Sequence, residues 1–212
     1  MNTVLEELGK IGIVPVVVLD DAKDALPLAR ALVKGGLPCA EVTFRTDAAE
    51  ESIRLISEGC PEILVGAGTV LSTGQAERAV AAGAKFIVSP GTNPKVVQYC
   101  VENGIPVTPG VQTPTEIEQA LAFGLKVLKF FPAEPAGGVK MIKALAAPYT
   151  MVKFIPTGGI NENNVRDYLK YDRIHACGGS WMVRGDLIRA GEFDRITGLV
   201  KEAADIVKEI RG

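Results

Sequence analysis

Val127-Leu128-Lys129-Phe130-Phe131-Pro132 reads as one short strand, aliphatic and aromatic, closed by a proline. Alternate side chains of a strand face opposite sides. Val127, Lys129 and Phe131 therefore share one face, and Leu128 and Phe130 the other. The Leu/Phe face suits a strand covered by helices, and a helical pattern follows over residues 137–146. The lysine does not fit a plain core strand, because burying an unpartnered ammonium costs several kcal/mol or more.

The same strand-then-helix unit recurs on both sides of this stretch. Strands are expected at residues 11–19, 39–44, 62–65, 85–88, 105–108, 126–131, 152–155 and 174–177. Helices are expected at 22–34, 47–57, 72–82, 94–102, 114–122, 137–146 and 162–169, then at 184–190 and 193–210, after a short lead-in helix over 4–10. Asp20 or Asp21 can cap the first of them, and Gly35-Gly36 can stop it. Short apolar strands alternating with amphipathic helices imply a parallel sheet covered by helices. Eight units with no composition break predict a closed (β/α)8 TIM barrel forming a single domain over 1–212. The competing open, doubly wound sheet lacks a G-x-G-x-x-G after the first strand.

Bulk properties narrow the function. A formal charge of −2 argues against nucleic acid or an anionic membrane as the main partner. The longest apolar run, 11–19, is too short to span a bilayer, and Met1-Asn2-Thr3-Val4-Leu5-Glu6-Glu7 has no signal-peptide pattern, so a cytoplasmic protein is expected. Cys39, Cys60, Cys100 and Cys177 show no metal-ligand spacing, and His175 is the single histidine. No metal site and no cofactor are expected, and the cysteines read as buried free thiols.

The distinctive residues follow the strands, and in a barrel those loops share the face that carries the active site. Lys129 would point inward there. A buried neutral amine can attack a carbonyl and form a Schiff base, whereas a lysine at a strand end can also snorkel out to water; the strand pattern leaves both open. Glu41, Thr43 and Arg45 share one strand face. A carboxylate there can move protons and an arginine can hold a substrate carboxylate, or the two can form a structural pair. Thr69, closing Gly66-Ala67-Gly68-Thr69, can hydrogen-bond a ligand or merely turn the chain into a helix. Thr157-Gly158-Gly159 and Gly178-Gly179-Ser180 follow the last two strands, where barrels place phosphate, or they form only a pair of tight strand-to-helix turns. His175, Trp181 and Met182 read as structural or packing residues, and Arg184 lies near the proposed phosphate site or faces solvent.

Taken in order, Val14-Pro15-Val16, Glu41-Val42-Thr43-Phe44-Arg45-Thr46, Val65-Gly66-Ala67-Gly68-Thr69-Val70, Ser89-Pro90-Gly91, Lys129-Phe130-Phe131-Pro132-Ala133-Glu134, Pro156-Thr157-Gly158-Gly159-Ile160 and Gly178-Gly179-Ser180-Trp181 cover nearly the whole chain. This pattern resembles the 2-keto-3-deoxy-6-phosphogluconate aldolase family, which also covers 4-hydroxy-2-oxoglutarate aldolase activity. The resemblance implies a class I, metal-independent aldolase on a (β/α)8 barrel, usually a homotrimer, acting on phosphorylated 2-keto-3-deoxy sugar acids and pyruvate. It implies Lys129 as the Schiff-base lysine and Glu41 as the acid/base residue. Arg45 and Thr69 would contact the pyruvate carboxylate, with Phe131 beside the Schiff base. Gly158, Gly159 and Ser180 would bind phosphate. Thr157 matches the gluconate-type C4 position, where galactonate-specific relatives tend to carry valine. In one departure, Val16-Val17-Val18 stands where some relatives carry an arginine at the end of the first strand. The alternatives are a non-catalytic sugar-phosphate-binding barrel, a phosphosugar isomerase using Glu41 alone, and a 2-keto-3-deoxy-6-phosphogalactonate aldolase.

Overall fold

The computed structural model describes residues 3–212. Met1 and Asn2, included in the domain expected above, lie outside the described residues. Along the chain the elements are α1 (Thr3–Ile11), β1 (Ile13–Val17), a 3₁₀ turn (Ala22–Asp24), α2 (Ala25–Gly35), β2 (Cys39–Thr43), α3 (Ala49–Gly59), β3 (Leu64–Gly68), α4 (Thr73–Ala81), β4 (Ile87–Val88), α5 (Pro94–Glu102), β5 (Val107–Thr108), β6 (Gly110–Val111), α6 (Pro114–Ala122), β7 (Val127–Phe130), α7 (Gly138–Ala146), β8 (Lys153–Pro156), α8 (Val165–Leu169), β9 (Cys177–Gly179), α9 (Gly185–Arg189) and α10 (Phe193–Arg211). Helix starts follow local chemistry: Ser72 and Asn93 accept hydrogen bonds from first-turn N–H groups, and Thr113 forms a capping box with Glu116.

The strands pair in parallel as a six-stranded sheet, β5-β4-β3-β2-β1-β9, and a three-stranded sheet, β6-β7-β8. Lone parallel bridges, Phe154 to Ile174 and Thr157 to Gly178, link β8 with the run through β9.

Several expected boundaries moved, each for a local reason. Ile11 ends α1 rather than opening β1, because the Gly12 N–H closes the helix onto the Leu8 carbonyl. The expected run 105–108 is longer than the observed β5, and a second strand, β6, resumes beyond Pro109. Proline has no N–H for a ladder, but the Pro109 carbonyl still accepts from Lys129 N at 3.0 Å. The chain thus leaves one sheet at β5 and joins the other at β6. The last strand is Cys177–Gly179, not 174–177. Gly66-Ala67-Gly68, expected as a turn, lies inside β3. A Cβ on Gly66 would sit 2.4 Å from the Phe86 ring, so the missing side chain makes room in the interior.

Side chains of opposite strand parity fill two cores. Leu128 and Phe130 join Val42, Val65, Ile87 and the helices in the larger one. Val14, Cys39, Leu64, Phe86, Val88, Val127 and Ile155 form an inner cluster, closed at one end by Leu8 of α1. Cys39, Cys60, Cys100 and Cys177 are buried free thiols, and burial pushes Cys177 up to about 12.

The α1 end is tied down by polar contacts. Nε2 of His175 donates to the Leu5 carbonyl at 2.6 Å. Arg211, at the end of α10, donates to the carbonyls of Gly9, His175 and Ile174 at 3.1, 2.9 and 2.8 Å. Arg211→Ala should lower unfolding free energy by about 1–2 kcal/mol, the scale of charged hydrogen bonds discounted for a side chain that keeps solvent contact; urea denaturation checks this. Burial above all holds the His175 imidazole below its ordinary pKa; the Leu5 hydrogen bond opposes this, and Lys153 and Arg211 add to the lowering. The unfolded chain then takes up the proton more readily, so stability is lost as pH falls from about 6.5 towards the folded value. Between pH 7 and pH 5 the urea midpoint should fall more steeply in the wild type than in His175→Gln.

Candidate active site

β2 and β7 belong to different sheets, and their inward-facing side chains meet. Lys129 Nζ lies 3.4 Å from Glu41 Oε1, with Lys129 only 5% and Glu41 3% exposed. The open question of a snorkelling lysine is thereby answered: the amine points inward. The Phe131 ring centroid is 5.0 Å from the same nitrogen, within cation–π range. Gly68 supplies the room for the carboxylate, since a Cβ there would lie 2.3 Å from Glu41 Oε1.

Glu41 and Arg45 do not form the structural pair that β2 alone allowed. Arg45 Nε donates instead to Thr43 Oγ1 at 3.2 Å, while the Thr43 hydroxyl donates to the Val17 carbonyl at 2.8 Å. The terminal guanidinium nitrogens of Arg45 make no ion pair among the described residues. Arg45 is exposed at the rim of the site.

Thr69 has a φ of +57°, the one positive value at a non-glycine residue among the described residues. A β-branched residue in this conformation carries backbone strain, which accumulates at functional sites. An ordinary turn would place glycine or asparagine there.

A cavity of about 380 Å³ is lined by Lys129, Glu41, Arg45, Thr69, Phe131, Thr157, Gly158, Gly159 and Ser180, so all nine expected site residues converge. Lys129, Glu41 and Thr157 are buried at its floor, while Arg45, Gly159 and Ser180 are exposed at its mouth. Gly158 and Gly159 have φ values of +99° and +81°, open to glycine and strained for other residues. The Thr157 hydroxyl is buried without a hydrogen-bond partner.

Val16, Thr43, Pro90 and Ile160 also line the cavity, without having been assigned a role. Thr43 was legible, because it shares the inward face of Glu41. Trp181 packs on Gly179, where a Cβ would lie 1.9 Å from the ring. Arg184 faces solvent and pairs with Asp186 at 3.0 Å instead of lining the cavity. Among the described residues no three His, Cys, Asp or Glu side chains converge to hold a metal.

A buried lysine–glutamate pair, an unpaired rim arginine and two strand-end glycine loops make a site for carbonyl chemistry on an anionic substrate. The chain belongs to the KDPG and KHG aldolase family, whose pattern matches residues 4–199. It is 53% identical to the 2-dehydro-3-deoxy-phosphogluconate aldolase of Treponema pallidum (strain Nichols), over 98% of this chain and 99% of that one. Its structure is similar to that of the KDPG aldolase from Legionella pneumophila with pyruvate captured as a covalent carbinolamine intermediate (TM-score 0.90, 39% identity, covering 93% and 96% of the two chains). It is also similar to the 2-keto-3-deoxy-6-phosphogluconate aldolase of Zymomonas mobilis ZM4 with 3-phosphoglycerate (TM-score 0.89, 38% identity, 95% of each chain).

The Thr69 strain makes a separable prediction. Thr69→Gly removes a penalty of about 1 kcal/mol together with the hydroxyl. The melting temperature should hold or rise, while the pyruvate concentration for half-maximal covalent trapping rises.

Proposed function

We propose that this chain is a class I aldolase that cleaves 2-dehydro-3-deoxy-6-phosphogluconate to pyruvate and D-glyceraldehyde 3-phosphate through a Schiff base on Lys129. The observation that carries this is the buried contact of the Lys129 amine with Glu41 at the floor of a cavity that carries Arg45 at its rim. Lys129 attacks the C2 ketone, and loss of water gives an iminium. Glu41, directly or through a water, takes the proton from the C4 hydroxyl. The C3–C4 bond breaks, its electrons flow into the iminium, and the aldehyde leaves. Glu41 returns a proton to C3 of the enamine, and hydrolysis frees pyruvate and Lys129. Arg45 and Thr69 hold the carboxylate so that C2 faces the amine, an orientation effect that can supply a large share of the rate. Gly158, Gly159 and Ser180 receive the phosphate at the mouth.

Cleavage of 4-hydroxy-2-oxoglutarate to pyruvate and glyoxylate belongs to the same reading, because it uses only the floor of the site. Thr157 favours the gluconate over the galactonate configuration at C4, since its unpartnered hydroxyl is free to bond a substrate oxygen. A barrel that only binds sugar phosphate would have no use for a desolvated lysine facing a carboxylate. Closure into one single-domain (β/α)8 barrel is supported by the two bridges beside β9 and by the run 107–111, which passes from one sheet to the other. The resemblance also supports a metal-independent homotrimer, and the sequence pattern near the N-terminus supports a cytoplasmic location.

Borohydride reduction with pyruvate should add one covalent mass increment, located on Lys129, and Lys129→Met should show none. Glu41→Gln should still trap pyruvate but lose roughly 10²–10⁴ in the rate of cleavage, followed by pyruvate release coupled to lactate dehydrogenase. A wild type without adduct, or a fully active Lys129→Met, overturns the mechanism.

A further inference from the structure

The loop over 157–159 is bonded through all three of its carbonyl oxygens, each time to a donor on a neighbouring segment or in the turn that follows. The Thr157 carbonyl accepts from Ala133 N at 2.8 Å and the Gly158 carbonyl from Glu134 N at 3.0 Å. The Gly159 carbonyl accepts from two side-chain amides, Asn164 Nδ2 at 2.9 Å and Asn161 Nδ2 at 3.2 Å. An anion is repelled by carbonyl oxygens and held by N–H groups. Occupying the carbonyls keeps their negative ends committed elsewhere and leaves the other side of the loop to the ligand.

The backbone donors at Ala133 and Glu134 depend on where the 132–138 segment sits, and one side chain anchors it. Tyr168, fully buried on α8, donates its hydroxyl to Glu134 Oε1. The Glu134 side chain fills the space beside Gly159, since a Cβ on that glycine would lie 2.7 Å from Glu134 Cβ. Without this bond the carboxylate would be free to swing beside the proposed phosphate, where like charges repel. Asn164 is tied in as well, its Oδ1 accepting from Asn161 N at 2.9 Å. Neither Asn164 nor Tyr168 lines the cavity.

We infer that Asn164 and Tyr168 are positioning residues for the phosphate end of the substrate: they orient the 157–159 loop and restrain Glu134, and they set affinity for the phosphorylated substrate without touching it. This rests on the aldolase reading and on phosphate binding at Gly158 and Gly159.

The test compares two substrates in Asn164→Ala and Tyr168→Phe, each checked for folding by circular dichroism. KM for 2-keto-3-deoxy-6-phosphogluconate should rise roughly fivefold or more in each variant, as expected for one lost hydrogen bond. KM for 4-hydroxy-2-oxoglutarate and half-saturation of pyruvate trapping should stay within twofold. Inorganic phosphate should inhibit the wild type more strongly than either variant. An unchanged KM ratio in both folded variants overturns the proposal, as does an equal loss towards both substrates, which marks a merely structural role. Should one variant fail to fold, the other decides. A wild type that handles both substrates with equal KM and ignores inorganic phosphate instead overturns phosphate binding at this loop, a failure visible before any variant is made.

Discussion

The contact between Lys129 and Glu41 is the constraint around which the interior is arranged. It brings together two side chains from different sheets, one on β7 and one on β2, both nearly removed from water. Desolvating two such groups costs several kcal/mol per ion, and their attraction often repays this only in part. A core built for stability alone would do as well with apolar residues. The fold instead makes space for the pair: Gly68 is bare where the carboxylate lies, and Phe131 offers its ring to the amine. Thr69 at positive φ points the same way, because backbone strain of this kind accumulates at functional sites.

The molecule divides its labour between its two ends. At one end α1 closes the inner cluster, and His175 and Arg211 fasten it through backbone carbonyls. At the other end the strand tips carry the cavity, graded from the buried Lys129 and Glu41 at the floor to the exposed Arg45, Gly159 and Ser180 at the mouth. The separation lets the mouth change without disturbing the floor.

Much of this was legible in the residues. Alternation in 127–131 placed Lys129 opposite Leu128 and Phe130, and the two cores follow that parity. The repeated strand–helix unit put the distinctive residues at strand ends, and all nine expected site residues line one cavity. What escaped was whatever depends on a neighbour distant in sequence. Gly66 and Gly68 look like a turn until Phe86 and Glu41 are seen in the space they leave. Pro109 looks like a stop until its carbonyl is found pairing with β7.

By itself the sequence determined the period of the strands, the inward face of each and the residue types offered to a site, because these follow from local geometry. Only the tertiary structure decided between partners. It joined Glu41 to Lys129 rather than to Arg45, gave Arg45 to Thr43, and turned Arg184 out to Asp186. Those choices turn on distances of a few ångströms between strands and loops far apart in the chain, and no pattern along the chain encodes them.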